Sequence, residues 1–183
     1  MRSGGASLRR CVFFSNITKE KGVNIILETA QKCPSISFTF YGGIVAGYEG
    51  EFLGAVSKSA NVEYKGVFIG TDDEKYIELS KYNIVLLPTR WEAEGIPGII
   101  VESRIAGLIP IISDHNYNKE IVEDGVDGIL LKGKTDPIEL GSSIIRLCVN
   151  RKLYDRLRRN SLIRAKEYYI ENHVDRIVEE LKE

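Results

Sequence analysis

The sequence lacks what would mark a stapled, metal-centred or membrane-embedded protein. Its three cysteines, Cys11, Cys33 and Cys148, are odd in number and widely spaced, and no Cys-x-x-Cys occurs. That argues against a disulfide framework or zinc site and fits a reducing cytoplasm. The cysteines read instead as small buried hydrophobes. Histidine is scarce, with only His115 and His173. Two isolated imidazoles make no metal cluster, so no metal is expected. No apolar run approaches the ~20 residues of a membrane span. Neither charge sign dominates: 25 basic residues face 26 acidic ones, for a net charge of -1. Such a chain carries no electrostatic footprint for nucleic acid, and none is expected as a partner. Any anion must be held locally. Neither Gly-x-x-x-x-Gly-Lys-Ser/Thr nor a Gly-x-Gly-x-x-Gly after a strand is present, which argues against a P-loop hydrolase and a simple dehydrogenase.

What is there is a rhythm of short apolar strands and amphipathic helices in a chain of 183 residues, enough for one good core. Residues 1–10 are small, polar and basic and read as a flexible leader; residues 11–183 read as one domain. Strands are expected at Cys11–Phe14, Ile36–Tyr41, Val62–Tyr64, Ile84–Leu87, Leu108–Ser113 and Gly128–Leu131. Helices are expected at Lys21–Lys32, Tyr48–Ser59, Thr71 or Asp72 to Lys81, Ile99–Ala106, and from Asp136 onward with breaks near Asn150 and Asn172. Val23, Ile26, Leu27 and Ala30 form the apolar stripe of the first helix. This alternation predicts an α/β fold: an open, mostly parallel sheet with helices on both faces.

In such a sheet, ligands bind outside the carboxyl ends of the strands. The unusual residues fall at those ends: Ser15-Asn16, Gly42-Gly43, Gly66, Thr89 to Gly98 and Asp114 to Asn118. One of these loops alone would be an ordinary turn. Together they mark one edge of the sheet. The richest stretch runs from Pro88 to Glu102, where a strand end, a carboxylate, glycines and a helix start follow one another. Gly95 permits close backbone approach, Pro97 suits the first turn, and the helix start offers N–H groups to phosphate. Glu102 lies about one turn in, with its side chain tilted back toward that start. Carboxylates so placed are acceptors for the hydroxyls of a polyol.

Glu94-x7-Glu102 followed by Ala106-Gly107-x-x-Pro110 resembles the E-x7-E signature of family-four retaining glycosyltransferases of the GT-B architecture. Phe13-Phe14-Ser15-Asn16-Ile17 with Lys21-Gly22, and Glu120 to Leu130, are similar to the same family's flanking segments. The resemblance spans Cys11 to Lys182. It implies a Rossmann-like domain, the C-terminal, donor-binding half of a two-domain enzyme. It implies that Lys21 and the backbone of Gly95, Ile96, Pro97 and Gly98 cradle the diphosphate. By the same likeness Glu94 binds the donor sugar as the catalytic carboxylate, Glu102 the ribose, and Val67 and Phe68 lie near the base. Asn16 stands where the family carries an arginine; Arg90 is a candidate substitute. No cofactor is implied beyond the nucleotide-diphosphate sugar, which is the donor substrate. The acceptor side would come from an absent N-terminal domain or a separate subunit, and any contact with the inner membrane face from there too. Alone, the chain would bind donor and turn over little. The last helix, Asn172 to Lys182, is similar to the segment that crosses back to the other domain.

Other readings stay open. The chain could be a nucleotide-sugar-binding subunit that needs an acceptor-side partner, or a relative of sugar-nucleotide epimerases or phosphorylases. Glu92 is a rival acceptor, His115 a minor acid–base candidate, and Trp91 either a loop anchor or a wall of the sugar pocket. The arginines at 146, 151, 156, 158 and 159 read as the solvated side of an amphipathic helix.

Overall fold

The computed structural model describes residues 8–132 and 136–168. Six strands alternate with helices: β1 Arg10–Phe14, α1 Val23–Lys32, β2 Ser37–Tyr41, α2 Glu49–Ser57, β3 Val62–Tyr64, α3 Asp72–Leu79, β4 Ile84–Leu87, α4 Gly98–Ile105, β5 Ile109–Ser113, α5 Asn118–Ile121, β6 Ile129–Leu131, α6 Pro137–Val149 and α7 Arg151–Ala165. All pairings are parallel, and the strand order is β3-β2-β1-β4-β5-β6. This is the doubly wound arrangement, whose order reverses between β1 and β4.

The pleat assigns the faces. Phe40 of β2 meets Phe52 of α2, with ring centroids 5.4 Å apart. Its neighbour Tyr41 points the other way, donating to Glu78 on α3 at 2.6 Å. Helices therefore cover both faces. α1 packs against α2 and α6, and α4 against α3 and α7. The central strands carry no polar face: every residue of β4 and β5 is buried. That is why their sequences IVLL and IPIIS are unbroken apolar runs rather than alternating ones.

Local chemistry fixes the helix ends. Thr71 caps α3 in a full capping box with Glu74. Asp136 accepts from the N–H groups of Ile138 and Glu139, with Pro137 at the first helical position of α6. Asn150 divides α6 from α7 and accepts from the Leu153 N–H.

Several boundaries differ from the sequence-based expectation. β1 begins at Arg10, and Leu8 is buried with its carbonyl accepting from Cys148 Sγ at 2.9 Å, so the domain starts before residue 11. α1 starts at Val23, not Lys21, because Gly22 takes a left-handed conformation, φ 77°, ahead of it. Lys21 thus lies in the loop just ahead of α1 rather than in its first turn. α4 starts at Gly98 with Pro97 as its N-cap. The four-residue α5 was too short to leave a periodic trace. The expected Asn172–Lys182 helix and His173 lie outside the described residues.

Candidate functional site

The loops after β1 and β4 leave the sheet side by side at the reversal point. They interlock there. A Cβ on Gly22 would stand 2.1 Å from the Pro88 carbonyl oxygen, and the position has φ +77°. Only glycine fits such a contact without a shift. The backbones are also joined, with the Arg90 N–H donating to the Glu20 carbonyl at 2.6 Å. A second tight pass braces the β2 loop: a Cβ on Gly42 would fall 1.9 Å from the Ser15 carbonyl oxygen.

This docking brings Lys21 onto Glu94, 73 residues away in sequence. Lys21 Nζ donates to both carboxylate oxygens, at 2.7 and 2.6 Å. Thr89 Oγ1 adds a third hydrogen bond to Glu94 Oε2 at 3.1 Å. Both partners are largely covered, with side-chain exposures of 12% for Lys21 and 7% for Glu94. The ammonium also lies 4.7 Å from the centre of the Trp91 ring. Trp91 is itself half open to solvent, so it is a wall of this site as well as a neighbour of the lysine.

The 90–94 loop is held from the β5 side. Asn116, at φ 48°, donates its side-chain N–H to the carbonyl of Glu92 at 2.8 Å and reaches those of Trp91 and Glu94 at 3.4 and 3.3 Å. His115 Nε2 lies 3.1 Å from the Trp91 carbonyl. Ser113 Oγ donates to the Thr89 carbonyl at 2.6 Å. His115 thus braces the loop.

Glu102 belongs to the other end of the site. Its Oε1 accepts from Lys75 Nζ, on α3, at 2.8 Å. Asp72 Oδ1 stands 3.8 Å from the same ammonium. Burial alone would lower the Lys75 pKa. The hydrogen bond to Glu102 and the charges of Glu102 and Asp72 outweigh it, so the proton is held above lysine's usual range.

Two clefts open beside these pairs. One of about 250 Å³ is lined by Asn16, Thr18, Glu20, Lys21 and Trp91. The other, of about 490 Å³, is lined by Asn16, Gly43, Val67, Phe68, Asp72 and Lys75, among others. Asn16 lines both. A third cleft, of about 450 Å³ near Arg10, Ser37 and Asn61, lies at the amino ends of the strands, away from these loops.

The expected site residues therefore fall into two linked groups. Lys21 and Glu94 are in direct contact. Asn16, Val67 and Phe68 share a cleft, to which Glu102 is tied through Lys75. Gly95, Ile96 and Gly98 are exposed along the approach to α4, whose start has no side-chain cap, while Pro97 is buried. Three contributors escaped the sequence reading: Thr89, Asn116 and Lys75. Thr89 and Asn116 fall inside the loops already singled out, whereas Lys75 carries no local signal. Among the described residues no group of three His, Cys, Asp or Glu side chains is arranged to hold a metal ion. None of their helices is long and apolar enough to cross a membrane.

A doubly wound domain with its carboxylates and lysine at the reversal point is the class that fold and site define. The family model described as "Glycosyl transferases group 1" matches residues 8–163, and the chain belongs to that family. An uncharacterised glycosyltransferase of Methanocaldococcus jannaschii is 30% identical over 148 residues, which cover 78% of this chain and 37% of that protein. The chain thus spans little more than a third of that relative. Among solved structures, the C-terminal domain of a group 1 glycosyl transferase from Francisella tularensis superposes with TM-score 0.74 at 19% identity, covering 87% of this chain and 85% of that one. Anabaena HepE in complex with UDP and glucose gives TM-score 0.82 at 19% identity, covering 97% of this chain and 49% of that one. The fold is that of a GT-B glycosyltransferase domain.

Proposed function

We propose that this chain is the donor-binding half of a retaining glycosyltransferase. The intact enzyme would move a sugar from a nucleotide diphosphate to a glycan or lipid-linked acceptor. The observation that carries this reading is the Lys21–Glu94 pair across the reversal point of the sheet. A cation and a carboxylate there match the two needs of such a donor, a diphosphate and a ring of hydroxyls. The Anabaena structure was solved with UDP and glucose, which supports the same ligand class here.

In this reading the diphosphate draws the Lys21 ammonium toward itself. Glu94, still held by Thr89, is then free to accept from the sugar hydroxyls. Glu102 accepts from the ribose, and Val67 and Phe68 border the base. Negative charge grows on the departing diphosphate while the sugar takes on oxocarbenium character. Lys21 and the uncapped start of α4, with the Gly95–Gly98 backbone, would stabilise that charge. Asn16 supplies no charge, so Lys21 carries the electrostatic role at that end, with Arg90, whose backbone docks on Glu20, as the candidate second cation. The acceptor side would come from a second domain or subunit, and this chain alone would bind donor with little turnover.

The test is calorimetric titration with UDP, GDP and ADP, then with a sugar conjugate of whichever binds. One nucleotide should bind selectively, and Lys21→Ala and Glu102→Ala should weaken it. No binding of any of the three at millimolar ligand would overturn the proposal.

A further inference from the structure

Lys75 is the residue whose surroundings the donor reading leaves unexplained. Its side chain is only 19% exposed, yet among the described residues its ammonium makes a single hydrogen bond, to Glu102 at 2.8 Å. Asp72, at 3.8 Å, is beyond hydrogen-bond reach. An ammonium has three N–H donors, so two remain to be used. Lys75 lines the larger cleft together with Asn16, Val67 and Phe68. A lysine put there only to neutralise Glu102 would not need to line the cleft.

We infer that Lys75 is a binding residue of the nucleoside end of the site: it orients Glu102 through their 2.8 Å hydrogen bond and donates a further hydrogen bond to a nucleoside oxygen. This rests on the donor-binding reading and deepens it. The site then has two cations with separate tasks. Lys21, between Glu94 and Trp91, faces the diphosphate and sugar. Lys75, on Glu102, faces the ribose and base. The preferred ligand is a nucleotide whose nucleoside presents oxygen acceptors to α3.

The two tasks separate by phosphate count. The probes are the mono- and diphosphates of uridine, guanosine and adenosine, titrated into the whole chain and its Lys75→Met, Lys75→Arg and Lys21→Met variants. Losing a charged hydrogen bond should weaken binding about tenfold. Lys75→Met should show that loss equally for the mono- and diphosphate of the preferred base. Lys75→Arg should restore most of it, and Lys21→Met should penalise the diphosphate more than the monophosphate. A Lys75→Met loss that grows with the second phosphate, or no loss in a variant whose thermal unfolding matches the parent, overturns the inference and leaves the donor reading standing. Failure of the unsubstituted chain to bind any of these nucleotides removes both.

Discussion

The molecule holds two well-covered ion pairs that look alike on paper and differ in what surrounds them. Arg104 on α4 meets Asp127 at 2.9 Å, with side-chain exposures of 0% and 4%. The Asp127 carboxylate also accepts from the Glu123 N–H at 3.0 Å, but among the described residues Arg104 Nε and Nη1 have no hydrogen-bond partner. Lys21 and Glu94 are nearly as covered, yet the carboxylate is fully served and the lysine borders a cleft. Burial alone therefore does not distinguish a pair that holds a fold from one that meets a ligand. Position does: Asp127 of the first pair borders a cleft against α7, with Arg164 3.7 Å away, whereas the second pair opens at the reversal point of the sheet.

The sharpest way to separate them is stability against binding. Arg104→Ala leaves Asp127 only Arg164, at 3.7 Å, as a cation partner and should cost about 3 kcal/mol, read as a lower denaturant midpoint. An apolar pair of matched size, Arg104→Met with Asp127→Leu, should recover most of that loss; if it does not, the ion pair does more than fill space. Lys21→Met should do the reverse. Its stability loss should be smaller, because water in the cleft can solvate Glu94, while diphosphate affinity falls about tenfold. A large drop in unfolding temperature for Lys21→Met would break the comparison.

Two smaller effects bound it. Thr71→Ala removes the α3 capping box and should cost about 1 kcal/mol in chemical unfolding, leaving nucleotide affinity unchanged. Glu78 gives the least. Hydrogen bonds from Lys81 and Tyr41 hold its carboxyl below the usual glutamate range despite partial burial. A depressed folded-state pKa means stability that is present above the ordinary value and lost as pH falls through the folded one. Glu78→Gln should therefore lower stability slightly at neutral pH, leave it nearly unchanged at low pH, and so flatten the acid side of the stability–pH curve.

The sequence made the sheet legible because β4 and β5 are unbroken apolar runs between turn residues. The ligand edge was legible because its loops share a peculiar composition. The candidate site was legible only in part. Glu94 and Glu102 stand close in sequence within one loop–helix unit, and a short spacing can be read. Their lysine partners cannot be found that way. Lys21 is 73 residues from Glu94 and Lys75 is 27 from Glu102, and only tertiary docking joins them. Lys21 was found by resemblance, and Lys75, which lay outside every quoted motif, was not found at all. The Arg104–Asp127 pair was missed because nothing local distinguishes a buried arginine on a helix from a solvated one.

The contact between Gly22 and Pro88 has a consequence for anyone who would re-engineer this domain. The segments at 18–22 and 88–98 form one mechanical part, although the chain writes them far apart. A graft that imports either segment alone would meet the other's backbone at the wrong height. Specificity loops in this domain should be exchanged as a matched set, and libraries that vary one of them should keep residue 22 a glycine.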